Sequence, residues 1–298
     1  MYQIKGDDLM QLSYEESVER VKSILSGSKN IVALTGVGVV MECGAKNYLN
    51  NEVIYDVEDK YGRSPEEIMS SGYFNARIEK FFRYYKDEYL SDNCKPNETF
   101  EALKKLDDAG ILSCCITTNT HGLEREVGIK NVIELYGTRM LNRCTGCGKR
   151  FPLKFINDAK GVPLCDECLK PIRPGIRLYG ELIRNDLMTE AANACAEADA
   201  LFVLGTNFFD SMVRFAISHY QGDKLVLITK HEHFRDKKAD IVIHDEVKNV
   251  LPMIIDSINL SRPEPENKSD ASLLSGSKAD SDVLSTGLSG AEKEVTSV

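Results

Sequence analysis

Nine cysteines occur in the 298 residues, and four of them stand in two pairs, Cys144-Thr-Gly-Cys147 and Cys165-Asp-Glu-Cys168, with 17 residues between the pairs. A C-x2-C turn aims two thiolates at one metal, and two such turns complete a tetrahedron. Sulfur at all four positions leaves no place for water, so the chemistry implied is structural zinc. The other cysteines (Cys43, Cys94, Cys114, Cys115 and Cys195) are scattered and fit reduced thiols better than a disulfide framework. A second group is Thr35-Gly36-Val37-Gly38, which follows a short apolar run. Glycines there let backbone amides approach a phosphate, although a lone GxG also suits a plain strand-to-loop turn. His231-Glu232-His233 has ligand-like residue types but no third partner nearby, and reads as a solvated loop.

The elements around these residues alternate. Ser13-Tyr-Glu-Glu16 has the pattern of a capping box and predicts a helix that runs to about Ser26 and stops at Gly27. Apolar runs at Asn30–Gly36, Ile111–Thr117, Asn131–Leu135, Ala200–Gly205, Leu225–Thr229 and Ile241–His244 read as buried parallel strands. Helical stretches at Glu98–Ala109, Asp186–Ala196 and Phe209–His219 separate most of them. Cys114 and Cys115 then fall on opposite faces of one strand, as core residues. This alternation predicts an α/β fold, a Rossmann-like doubly wound parallel sheet.

Two stretches interrupt the rhythm. Residues 48–92 are charged, aromatic and helical in pattern, and residues 140–180 hold the paired cysteines. Both are expected to form a smaller zinc-binding plus helical domain beside the sheet. The domain reading is therefore an N-terminal helix over 1–28 packed on the core, a main body over 29–260, and a disordered tail over 261–298. The tail is serine-rich and lacks aromatics, so it buries too little apolar surface to offset its ordering entropy. No internal repeat is evident.

Taken in order, the strand–TGxG loop, SPEEIMSSGYF, ITTNTHGLEREVG, VIELYGT, the C-x2-C pairs, PIRPGIRLYGE, LFVLGTN and LVLIT resemble the sirtuin family. The resemblance is collinear from about Lys29 to Leu251. It implies a cleft between the two domains for NAD and an acyl-lysine peptide. Carried over position by position, it implies cofactor-binding roles for Thr35, Gly36, Val37, Gly38, Thr118, Asn119, Gly205, Thr206, Asn207 and Thr229. It implies substrate-binding roles for Ile176, Arg177 and Tyr179, and catalytic roles at Asn119, Tyr136 and His121.

The chain departs from the sirtuin pattern at the reacting centre. Sirtuins read TGAGIS..SGIPDFR at the first loop; here the alanine is Val37, the serine is Val40, and the terminal DFR is Asn47, Tyr48 and Leu49, while Gly36, Gly38 and Gly44 are kept. The family TQNID is Thr117-Thr-Asn-Thr-His121, which keeps Asn119 but puts Thr118 for glutamine and His121 for aspartate. The family general-base histidine is Tyr136, and Arg177 stands for an apolar residue. Tyrosine with a pKa near 10 is ionised in only about one molecule in a thousand at pH 7, so it makes a poor base. Some sirtuin branches that this chain resembles lack the histidine and are ADP-ribosyltransferases. Three readings follow: an NAD-dependent protein deacylase or ADP-ribosyltransferase with altered catalysis, a non-catalytic NAD or ADP-ribose binder, and a zinc-stabilised scaffold with an empty cleft.

Composition narrows the partners. A net charge of −9 and a pI of about 5.2 argue against nucleic acid and anionic membranes, both of which select a basic face. No apolar run reaches the ~18–20 residues that span a bilayer, and a cytoplasmic location is expected. The partner expected is an acylated or ADP-ribosylated protein. The basic Lys149, Arg150 and Lys154 of the cysteine module read as solvation, and the leucines of the tail carry little weight as a binding motif.

Overall fold

A computed structural model of the chain describes residues 12–48 and 50–258. Leu49, the first eleven residues and the expected tail lie outside the described residues. Nine strands are present among the described residues: β1 (Ile31–Thr35), β2 (Leu112–Thr117), β3 (Val132–Glu134), β4 (Leu141–Cys144), β5 (Arg150–Pro152), β6 (Ile172–Arg173), β7 (Ala200–Leu204), β8 (Leu225–Ile228) and β9 (Ile241–Ile243). Six of them form one parallel sheet in the order β3-β2-β1-β7-β8-β9. β1, β7 and β8 are buried at every position, which explains why their sequences are unbroken apolar runs.

Alternate residues of these strands feed two cores. Ile31, Ala33, Cys115 and Phe202 pack under the helices Tyr14–Gly27, Glu98–Asp108 and Val247–Asp256. Val32, Leu34, Cys114 and Val203 face the helices Asn185–Glu197 and Ser211–His219. The two adjacent cysteines thus belong to opposite faces. The first helix carries the expected capping box, with Glu16 N donating to Ser13 Oγ and Ser13 N to Glu16. The helix predicted from Phe209 begins at Ser211, because Asp210 accepts from the N–H groups of Met212 and Val213 and so sets the start. The helix Val247–Asp256 escaped the sequence reading because Pro252 sits inside it. Its start is capped from a distance: Glu42 accepts from Val247 N at 2.8 Å and Lys248 N at 2.9 Å.

The two interrupting stretches share a third core. Phe74, Phe81, Phe82 and Tyr85 of the helical stretch pack with Cys144, Phe151, Ile156, Cys165 and Ile172 of the cysteine stretch. Here β4 lies between β5 and β6 in an antiparallel sheet. The four paired cysteines meet at the end of β4, with all ligand atoms within 4.8 Å of one another. Cys144 Sγ is 3.2 Å from Cys168 Sγ, and Cys147 Sγ is 3.6 Å from Cys165 Sγ. Four sulfurs at ~2.3 Å from one ion would stand a little under 4 Å apart, so the cluster fits a tetrahedral, structural zinc. Gly146 N also donates to Cys144 Sγ at 3.3 Å, support suited to a thiolate.

One zinc per chain is expected by elemental analysis. Cys165→Ser should abolish it, and a strong chelator should lower the melting temperature of the wild-type protein while leaving the variant unmoved.

Candidate functional site

The strand order reverses between β1 and β7, and the loops leaving their C-terminal ends press together. Gly38 N donates to Gly205 O at 2.7 Å. A Cβ on Gly38 would stand 2.6 Å from that oxygen, and one on Gly205, at φ +62°, 2.5 Å from Val39 N. These glycines are therefore demanded first by one loop packing on the other. At this reversal an α/β sheet opens a crevice for ligands.

A cavity of about 420 Å³ lies beside it. The loop after β1 contributes Val37, the loop after β2 contributes Thr118, Asn119 and His121, and the loop after β3 contributes Tyr136; Ile176, Arg177 and Tyr179 come from the segment after β6. Asn119 is buried and fixed, its amide nitrogen donating to Gly36 O at 3.0 Å and its backbone N–H to Thr117 Oγ1 at 3.1 Å. Other residues chosen from the sequence do not line this cavity. Thr35 is fully buried, and its hydroxyl sits between Glu124 at 2.7 Å and Thr117 at 2.8 Å. Gly36 and Gly38 lie in the loop contact. Gly205, Thr206, Asn207 and Thr229 flank the ends of β7 and β8, where Asn207 Oδ1 accepts from Phe209 N at 2.8 Å.

Tyr136 is half-buried. Arg177 N donates to Tyr136 O at 2.7 Å, and the Arg177 guanidinium lies over the tyrosine ring, 4.5 Å from its centroid. The two segments come this close because Gly175 is a glycine: a Cβ there would stand 1.6 Å from Leu141 O. Burial, with the nearby Asp210 carboxylate, pushes the Tyr136 phenol above its ordinary 10.0; Arg177 and a hydrogen bond with Ser211 oppose this without reversing it. Tyr136 is thus a neutral hydrogen-bonding group.

The sequence reading missed Asp92. Its side chain is 1% exposed and accepts from His121 Nε2 at 2.9 Å and from Arg139 Nη1 at 2.6 Å. Arg139 N in turn donates to Thr120 O, so one carboxylate ties the loops after β2 and β3 to the loop at 91–97. His121 is therefore oriented by a carboxylate, and its Nδ1 is buried without a partner among the described residues. A lone aspartate in Ser91-Asp-Asn-Cys94 gives no sign of this in the sequence. Nor does the sequence announce the π-helical turn Tyr85–Tyr89, which delivers Tyr89 to the cavity wall with its hydroxyl 2.6 Å from Thr120 Oγ1.

Burial raises the Asp92 pKa, but the bonds from His121 and Arg139 outweigh it, and the net shift is below the ordinary 3.8. The resulting stability is complete above that value and is lost as pH falls through the lowered one. Asp92→Asn leaves the Arg139 guanidinium buried without a counter-charge and should destabilise by roughly 3–5 kcal/mol. Urea titrations from pH 7 downward would show a lower midpoint for the variant at neutral pH and convergence with wild type as the pH drops below the aspartate range.

Residues 36–209 match the profile of the Sir2 family. An NAD-dependent protein deacetylase of Clostridium perfringens is 34% identical over 81% of this chain and 100% of its own length. One of Clostridium tetani is 35% identical over 80% of this chain and 98% of its own. A Sir2 homologue solved in complex with NAD superposes with a TM-score of 0.68 at 26% identity, covering 80% of this chain and 92% of that one. A histidine-to-tyrosine mutant of Sir2 with p53 peptide and NAD gives 0.67 at 25%, covering 80% and 97%. With one family profile spanning most of the folded core and relatives matched almost end to end, the chain belongs to the Sir2 family.

Proposed function

We propose that this chain consumes NAD in a transfer reaction on a protein substrate, with the reacting centre in the cavity beside Asn119. The observation that carries the reading is the convergence of Val37, Thr118, Asn119, His121, Tyr136, Ile176, Arg177 and Tyr179 on one cavity at the C-terminal ends of β1–β3. The relatives' activity as NAD-dependent protein deacetylases supports it.

NAD is a substrate here, supplying an electrophilic ribose carbon with nicotinamide as the leaving group. The loop from Gly36 to Gly38 would pass beside the pyrophosphate, with Gly36 N and Gly38 N held by Leu204 O and Gly205 O so that the loop keeps its shape. Gly205, Thr206, Asn207 and Thr229 then flank the adenosine half, and Val37, Thr118 and Asn119 the nicotinamide ribose. Asn119, already fixed through its amide nitrogen, orients the ribose. His121 takes the place beside the nicotinamide amide, held there by Asp92. Ile176 and Tyr179 form the walls for the acyl-lysine or acceptor side chain, and Arg177 holds Tyr136 in position.

Deacylation needs a proton acceptor for the ribose hydroxyl that attacks the acyl carbon. A half-buried phenol with a raised pKa does not supply one at neutral pH. ADP-ribosyl transfer needs only that an acceptor nucleophile replace nicotinamide on the ribose carbon. Tyr136 therefore favours ADP-ribosyl transfer or slow deacylation over fast deacylation. A cavity that binds NAD without turnover is the second reading, and the same phenol favours it.

Nicotinamide release by the zinc-loaded protein, with a pool of acylated peptides and with none, is the test. Release that depends on peptide identifies a deacylase, and release without peptide identifies ADP-ribosyl transfer or NAD hydrolysis. In either case Asn119→Ala should reduce the rate by two orders of magnitude or more, on the scale of losing a positioned catalytic group, about 10²–10³. No release by the wild type, together with tight NAD binding, would replace the enzyme by the binder.

A further inference from the structure

A second hollow, of about 690 Å³, adjoins the first, and Tyr136, Ile176 and Arg177 form the wall that both share. Four arginines line it: Arg143 on β4, Arg173 on β6, Arg177, and Arg184 at the start of the helix Asn185–Glu197. Only two acids face it, and both are already paired: Glu181 with Arg173, and Glu134 with Arg125 at 3.1 Å. Arg184 pairs with Asp186. Arg143 and Arg177 have no carboxylate partner among the described residues. This positive surplus sits in a chain whose net charge is −9, so composition does not explain it.

Arg177 is the more demanding of the two. Its side chain is partly buried, its Nη1 donates to Glu181 O at 2.9 Å, and its Nε is buried without a partner among the described residues. A partly buried guanidinium with no counter-ion among the described residues gains a charge-assisted hydrogen bond from an incoming carboxylate. Arg143 is exposed on β4 and meets a second acid at little desolvation cost. Leu182, 94% exposed, stands at the rim as an apolar contact.

We propose that this hollow is a docking groove for an acidic stretch of the protein substrate, so that the chain selects target residues flanked by glutamate or aspartate. The inference rests on the reading of the neighbouring cavity as the reacting centre, and it names the partner of that site. Carboxylates of the flank bind Arg177 and Arg143, while the modified side chain crosses the shared wall at Ile176 and Tyr136.

The test uses the full-length, zinc-loaded protein and fluorescein-labelled acetyl-lysine peptides, with binding read by anisotropy. One peptide carries three glutamates before the acetyl-lysine, one carries three after it, and the control carries glutamines at both places. One acidic peptide should bind at least about tenfold more tightly than the control, the scale of a charge-assisted pair. That preference should shrink as salt rises from about 50 to 300 mM and should fall severalfold in Arg143→Gln but not in Arg143→Lys. Equal affinity of all three peptides would overturn the proposal, as would an acidic preference that Arg143→Gln and Arg177→Gln both leave intact. An oligonucleotide of equal charge that binds as well as the acidic peptide would overturn it too, by reducing the groove to unselective charge attraction. NAD binding, measured on the same samples, separates the two claims. If NAD binds while no acidic preference appears, the groove alone is wrong; if the preference appears without NAD binding, the reading of the cavity is what fails.

Discussion

The packing of the loop after β1 against the loop after β7 is the constraint from which the rest of this molecule follows. A parallel sheet whose order reverses between those two strands leaves their C-terminal ends diverging, and a crevice opens there. The crevice keeps a fixed shape only if the two loops touch, backbone to backbone. Gly38 and Gly205 make this possible, since a methyl group on either would fall within 2.6 Å of the opposing chain. The contact fixes Gly36 as well, and the Gly36 carbonyl receives the amide of Asn119. A demand of main-chain packing thereby sets the position of the most deeply held polar side chain in the cavity.

The smaller module supplies the other wall and is held by different means. Its two sequence stretches build one core together. The cysteine cluster closes the loop-rich half. In the helical half, rings stack in succession from Phe81 to Tyr85, Tyr89 and Tyr48, with centroids 5.3–5.6 Å apart. This ladder leads from the core to the cavity, and the π-helical turn lets Tyr89 reach the end of it. Lys46 and Lys60 meet Glu88 of the same turn, tying the loop that carries Tyr48 to the module.

Electrostatics then divide the cavity into two sides. On one, the Asp92 carboxylate accepts from His121 and answers the buried Arg139 guanidinium. On the other, Arg177 lies over Tyr136 with no acid of its own among the described residues, and Asp210, though near enough to raise the phenol's pKa, is engaged as the cap of the following helix. On the first side the acid is already engaged, while His121 Nδ1 and Arg139 Nε have no partner among the described residues. The second holds an excess of positive charge that continues into the neighbouring hollow.

Much of this was legible in the sequence, for definite reasons. A buried parallel strand must be apolar along its whole length, so β1, β2, β7 and β8 announce themselves. Two C-x2-C turns have few structural meanings, so the cysteine cluster does too. The capping box of the first helix needs only local bonds and was equally readable. The motif order identified the family and chose Val37, Asn119, Tyr136 and Arg177, which the fold then brings to one cavity. What the tertiary structure alone decided concerns contacts between residues distant in the chain. Asp92 looks like any loop acid until it meets His121 and Arg139; Glu42 caps a helix 205 residues away; Thr35, beside the glycine loop, turns inward to Glu124 instead of facing the cavity. Local propensity and spacing are written in neighbouring residues. The partner of a buried charge, and the face a side chain presents, depend on which remote segments the sheet brings together.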